Sequence, residues 1–220
     1  MKIRIKKRLL LGIIIFVFLN ISLKLFIIDV VKVSGVSMEP TLINGSYLLV
    51  SKYYGGMRLP RNIFEIPWIN NFVYYFIPDK EIDSVLQNTS KKYKHLKKIE
   101  IQRGDVVVFN LPFYLNSVAI KRCVGMPGDS INHYVSEKAL FPIIPYKGMR
   151  LSNESLSIEQ QKELRKSYFF KYDNDRKEWI SLSNFYFMQG DNKDFSIDSR
   201  TWGLVPENHI FAKMLVVIKE

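Results

Sequence analysis

Residues 9–31 read LLLGIIIFVFLNISLKLFIIDVV, an almost unbroken apolar run interrupted only by Asn20, Ser22, Lys24 and Asp29. About 20 apolar residues, at about 1.5 Å each along a helix, cross a hydrocarbon core of about 30 Å. The run therefore predicts one N-terminal transmembrane anchor, with Lys24 long enough to reach the interface. A cleaved leader would need a short apolar core followed by a small-x-small site. After Phe26 the chain continues Ile-Ile-Asp-Val-Val-Lys-Val, which contains none, so the anchor is expected to stay attached. Beyond it the pattern changes to short β-branched and aromatic runs. These are Tyr47–Val50, Val106–Phe109, Ser117–Val124, Tyr186–Met188 and Ala212–Ile218, separated by turns such as Asn44-Gly45-Ser46 and Met126-Pro127-Gly128-Asp129. Such runs predict a mainly β catalytic-type domain of antiparallel strands. Only Ser157–Lys166 reads as a soluble helix. Two stretches, about 52–102 and 130–185, look like insertions, the second a more polar subdomain.

Charge orients this arrangement. Lys2, Arg4, Lys6, Lys7 and Arg8 crowd the first eight residues, ahead of the apolar run. Excess positive charge on one flank predicts a cytoplasmic tail over residues 1–8, the anchor at 9–31, and an extracytoplasmic domain over 32–220. Part of the net charge of +11 lies in that tail, and Lys91, Lys92, Lys94, Lys97 and Lys98 form a second group. Contact with an anionic bilayer accounts for such a balance without nucleic acid as a partner. The second group reads first as a solvated face and second as a contact with anionic lipid. Six aromatics between 63 and 78 (Phe64, Trp68, Phe72, Tyr74, Tyr75 and Phe76) either dip into the outer leaflet or pack the insertion. Cys123 is the single cysteine, so no disulfide can form within the chain.

Candidate chemistry begins at Ser34-Gly35-Val36-Ser37-Met38-Glu39-Pro40-Thr41-Leu42. Pro40 restricts its own φ and disfavours the helical region for Glu39, while Gly35 lets the backbone pass close to a partner. A serine held there, Ser37, suits nucleophilic attack if a base is at hand. The histidines, His95, His133 and His209, have no catalytic neighbours in sequence and read as surface or loop residues. Lys121, in the apolar run Val118-Ala119-Ile120-Lys121, is the better base, because burial would favour its neutral form. Periodicity alone favours a lysine whose strand face meets solvent, since lysine is seldom buried.

The Ser34–Leu42 stretch resembles the nucleophile box of type I signal peptidases, the membrane-anchored serine–lysine endopeptidases of the S26 family. Arg103–Phe109 resembles the strand before the family's lysine box. Ile120–Asp129 resembles that box, and Gly190–Arg200 with Trp202–Pro206 resembles the last one. The resemblance implies Ser37 as nucleophile, Lys121 as general base and Ser196 as the residue that orients the lysine. Val31, Val33, Met38, Leu42 and Ile120 would line two shallow apolar pockets that admit small side chains at −1 and −3. Arg122, Asp191, Asp198 and Arg200 would brace the site through ion pairs. It further implies cleavage of signal peptides from preproteins on the outer side of a bacterial inner membrane. The bilayer and the secretion machinery would be partners, with no cofactor and no metal. The sequence departs from the family where a second oxyanion-donating serine is common, here Gly35, and where Gly-Asp is usual, here Gly45-Ser46. A specialised maturation peptidase of the same superfamily and a non-catalytic β-domain are the competing readings.

Overall fold

Val106-Val107-Val108-Phe109 is apolar without alternation because both of its faces are buried. Val107 and Phe109 enter one hydrophobic cluster with Ile99, Cys123, Met188 and Ile210. Val106 and Val108 enter a second with Val33, Met38, Leu42, Leu48 and Val50. Successive side chains of a strand point to opposite faces, so a two-sided core demands a continuous apolar run. The computed structural model describes residues 2–67, 75–78, 81, 84–85, 93–111, 117–131 and 141–219.

In chain order, a long helix α1 (Lys2–Phe26) leads into strand β1 (Ile28–Lys32), which pairs with β2 (Tyr47–Ser51). Then come β3 (Val106–Asn110) and β4 (Val118–Gly125). The second insertion contributes β5 (Arg150–Ser152), α2 (Ile158–Lys166), β6 (Phe170–Asp173) and β7 (Glu178–Ser181). The chain closes with β8 (Phe185–Gln189), a single helical turn α3 (Ser199–Trp202), β9 (Val205–Pro206) and β10 (Ile210–Lys219). Seven strands form one antiparallel sheet in the order β1-β2-β10-β3-β4-β8-β9, and β5-β7-β6 form a second, small sheet.

The expected mainly β, antiparallel fold with an inserted subdomain is observed, and each of the five expected strands is present within two residues. The expected soluble helix is α2, which Ser157 opens with a capping box to Gln160. Two boundaries differ. The apolar stretch that could cross a membrane is Lys7–Phe26, 20 residues, not 9–31. The β-branched residues after Phe26 form β1, because pairing along β2 satisfies their backbone there. The second insertion has its own core of Phe141, Leu151, Leu164 and Trp179. The first insertion folds back on the main sheet: Ile99 and Ile101 join its core. Of the six aromatics at 63–78, Phe64 is buried and Tyr75 and Phe76 are exposed, while Trp68, Phe72 and Tyr74 lie outside the described residues. Lys91 and Lys92 lie outside them as well.

Candidate active site

Ser37 sits in the loop that joins β1 to β2. That loop is a sequence of turns closed by backbone bonds: Val33 N–H to the Ser46 carbonyl at 2.8 Å, Gly45 N–H to the Val33 carbonyl at 3.0 Å, and Leu42 N–H to the Met38 carbonyl at 2.9 Å. Gly35 has φ near +92°, a left-handed conformation that glycine adopts freely, and its N–H donates to Asn44 Oδ1 at 3.0 Å. Met38 and Leu42, flanking the serine, drive their side chains into the core as plugs. Ser37 itself is half-buried at the surface of this plug.

Lys121 approaches from the middle of β4, where it pairs with Val107. It is 6% exposed, and Lys121 Nζ is hydrogen-bonded to Ser37 Oγ. This is the juxtaposition the sequence predicts, across 84 positions of chain. Burial lowers the Lys121 pKa below the usual lysine value, and the carboxylates of Asp198 and Asp191 oppose the shift without cancelling it. Cys123, two residues along the same strand face, is buried, and burial pushes its thiol up to about 12. It is a packing residue.

A second loop, 190–198, holds the serine from behind. Asn192 N–H donates to the Ser37 carbonyl at 3.1 Å, and Asn192 Nδ2 donates to the Val36 carbonyl at 3.1 Å. Gly190 lies so close that a Cβ there would stand 2.5 Å from the Ser37 carbonyl oxygen and 2.1 Å from Ser196 Oγ. Only glycine fits. The Ser37 N–H takes no partner among the described residues.

The predicted braces are made. Arg122 meets Asp191 through two bonds, at 2.8 and 2.6 Å, and also donates to the Gly104 carbonyl at 2.7 Å. Such forked pairs are geometrically specific. Asp198 has no exposed side-chain surface and accepts from Arg200 Nε at 2.8 Å, Arg200 Nη2 at 2.9 Å and Gly190 N–H at 3.0 Å. Burial alone would raise the Asp198 carboxyl, but bonds from Arg200 and the Gly190 N–H bring it below the ordinary range. Asp191 is likewise lowered, against its own burial, by Arg122 and the Thr41 hydroxyl. Both carboxylates are therefore ionised and already occupied.

Ser196 departs from expectation in one respect. Its Oγ is buried beside Gly190 and acts on the Asp198 carboxylate, which it helps to lower, and it makes no bond to Lys121 among the described residues. Val31, Val33, Met38, Leu42 and Ile120 are gathered in one cluster, with Val33, Met38 and Leu42 buried and Val31 and Ile120 partly so. Ser46, at the Gly-Ser departure, is also buried with an unpartnered Oγ. The histidines are corrected. His209 is a core residue, 4% exposed, with Nδ1 bonded to the Asn110 carbonyl at 3.1 Å. Burial pushes it down to about 4, so it stays neutral near pH 7. His95 is half-buried opposite Arg58 and is also pushed down, by burial, to about 4. Neither bonds Ser37, and His133 lies outside the described residues.

Sequence reasoning did not assign Asn192, Gly190, Thr41 or Asn44 a role. Asn44 was legible only as a turn former, and the other three act through contacts with distant parts of the chain. A family model described as signal peptidase, peptidase S26, matches residues 6–219. A protein named Signal peptidase I from Pseudomonas aeruginosa is 28% identical to this chain, covering 91% of the chain and 68% of the relative. Its counterpart of the same name from Pseudomonas fluorescens is 30% identical with the same coverage. One from Buchnera aphidicola subsp. Schizaphis graminum is 28% identical, covering 89% of this chain and 69% of the relative.

Proposed function

The chain belongs to the signal peptidase family, peptidase S26, and we propose that it is the Ser37–Lys121 member of a bacterial envelope, removing N-terminal signal peptides from exported preproteins. Membership makes it a hydrolase, a serine endopeptidase. The contact between Lys121 Nζ and Ser37 Oγ, made by a buried lysine with no carboxylate bonded to it among the described residues, is the observation that carries this assignment.

With Lys121 neutral, the Ser37 hydroxyl donates to the Nζ lone pair. As Ser37 Oγ attacks the scissile carbonyl, that proton moves to Nζ, and the charge develops on the carbonyl oxygen. The unpartnered Ser37 N–H is the donor assigned to that oxyanion. The Lys121 ammonium then returns the proton to the departing amine, which releases the mature chain. In the second half the neutral lysine takes a proton from water, which attacks the acyl-enzyme and frees Ser37. Ser196 Oγ, buried beside Gly190, is the acceptor assigned to a further Lys121 N–H when the amine turns between these steps.

The floor beside Ser37 is built from Val31, Val33, Met38, Leu42 and Ile120, already close-packed, which supports acceptance of only small side chains at −1 and −3. One methylene is worth only about 1–3 kcal/mol in such a pocket, so two positions must share the discrimination. The basic residues Lys2 to Arg8 in the first turns of α1 support a cytoplasmic N-terminus with the β-domain on the outer side of the inner membrane. Phospholipid contacts this domain in that arrangement, and the secretion machinery delivers its substrates.

The test is cleavage of a signal-peptide-bearing preprotein by detergent-solubilised enzyme. Wild type is expected to cut after a small residue, and Ser37→Ala and Lys121→Ala, both folded by circular dichroism, to lose turnover. Retained turnover in either variant would remove that residue from the chemistry.

A further inference from the structure

The membrane helix does not hang from the β-domain on a free tether. Only Ile27 separates the last helical residue, Phe26, from β1, and the Ile27 carbonyl is claimed by the turn that follows β2: Lys52 N–H donates to it at 2.8 Å and Tyr53 N–H at 3.4 Å. Lys52 Nζ reaches one turn further back and donates to the Lys24 carbonyl at 2.8 Å. The same amine pairs with Asp29 Oδ2 at 2.8 Å, and Lys24 Nζ lies 3.5 Å from Asp29 Oδ1. The last carbonyls of a helix lack intrahelical donors and carry the negative end of its dipole. An ammonium supplied by the domain is therefore a cap, and a cap on a foreign element is a clamp.

Burial along α1 agrees. Residues 7–20 are exposed throughout, whereas Ile21, Ser22, Lys24, Leu25 and Phe26 are half-buried. Leu25 closes a small cavity with Lys52, Arg58, Pro60, Glu65 and Phe211. From the clamp, β1 runs directly into the loop that carries Ser37. Five residues at about 3.3 Å each place the start of that loop about 16 Å beyond the helix end.

We infer that Lys52, acting with Asp29, is a positioning residue that holds the Ser37 site at one height and tilt above the membrane. The site is thereby matched to scissile bonds presented at that height by a substrate's own membrane-embedded apolar segment. A bond offered in free solution gains nothing from the clamp. The inference rests on Ser37 being the nucleophile.

The experiment uses the full chain in proteoliposomes with two substrates that share one cleavage sequence: a membrane-held preprotein and a short soluble peptide. The double variant Asp29→Asn/Lys52→Met removes both charges, so no buried carboxylate is left unpaired. Its kcat/KM on the preprotein is expected to fall about tenfold, as misplacement of a reacting group does, with new cuts at neighbouring bonds. Its kcat/KM on the peptide is expected to stay within about twofold, because no reacting group is touched. Lys52→Arg, which can still cap and pair, is expected to restore preprotein cleavage. An equal fall on both substrates would make the pair merely structural, and no fall on either would make the clamp irrelevant. Wild type that cleaves neither substrate would overturn the Ser37 assignment itself.

Discussion

Two lysines, Lys121 in β4 and Lys52 in the turn just after β2, are withdrawn from water, and burial lowers the pKa of each. Their surroundings divide them. Lys52 has a carboxylate, Asp29, at 2.8 Å and a helix carbonyl at the same distance, so its charge is answered on the spot. Lys121 has a hydroxyl. The two carboxylates near it, Asp191 and Asp198, are bonded to Arg122 and Arg200 and act on the amine only through space. Burial is common to both, but a base also needs its counter-charge withheld, and the two arginines withhold it. On the proposed reading, the same residue type is a clamp where the carboxylate is direct and a proton acceptor where it is not.

The sharpest break of this comparison is Lys121→Met, which keeps the volume and removes the amine. Preprotein turnover is expected to drop by at least about 10³-fold, the scale of a lost general base. In wild type the rate should climb with pH along a limb centred below the ordinary lysine value of 10.5, because only the neutral amine accepts the proton. Stability has the same sign. Between the depressed pKa and 10.5 the unfolded chain binds a proton that the folded chain does not, so stability rises with pH across that window. Below the window the folded state must carry a poorly solvated ammonium. Lys121→Met removes that burden and should be more stable near pH 7 by about 1 kcal/mol, read as a rise of about 2–4 °C in Tm. Lys52 contributes a slope of the same sign, which should survive in the variant.

Next in size is Gly190→Ala. Its methyl would collide with the Ser37 carbonyl and with Ser196, so the nucleophile loop must shift. A loss of about 10²-fold in kcat, with about 1–3 kcal/mol of destabilisation, is expected from single-turnover kinetics and thermal melts. Arg122→Met tests the withheld counter-charge more gently. With only the Thr41 hydroxyl left on Asp191, its field acts more fully on Lys121 and favours the ammonium. The alkaline limb should move to higher pH, with the plateau rate nearly kept. A limb that stays put would show that Arg122 braces the loop and nothing else.

These residues also mark where the sequence was readable. Val106–Phe109 and Tyr47–Val50 announce themselves because two-sided or one-sided burial writes itself into local composition. Ser37 and Lys121 were legible through the boxes that contain them, since the residues around a reacting group are constrained along the chain as well as across it. The burial of Lys121 was not legible, because alternation within β4 is consistent with either face until the neighbouring strands are known. The end of α1 was missed for a similar reason: Ile28–Lys32 is as apolar as the helix before it, and only β2 decides. Asn192 and Gly190 act on Ser37 from more than 150 positions away. No local pattern encodes such a contact.

The smallest expected effect comes from the inserted subdomain, and it serves as the control. Leu164 is buried against Phe141, Leu151 and Trp179, in a cluster that shares no residue with the two clusters around Lys121. Leu164→Ala should leave a cavity and destabilise that unit by about 2–5 kcal/mol. The lysine and its counter-charges lie in other elements, so kcat/KM should stay within about twofold and the alkaline limb should not move. Hydrogen exchange should speed up over residues 150–181 while protection of β3 and β4 is kept. If the limb moved instead, the depressed state of Lys121 would depend on packing throughout the chain. The partition of carboxylates between arginines and lysines would then be too local an account of how the pKa of this lysine is held down.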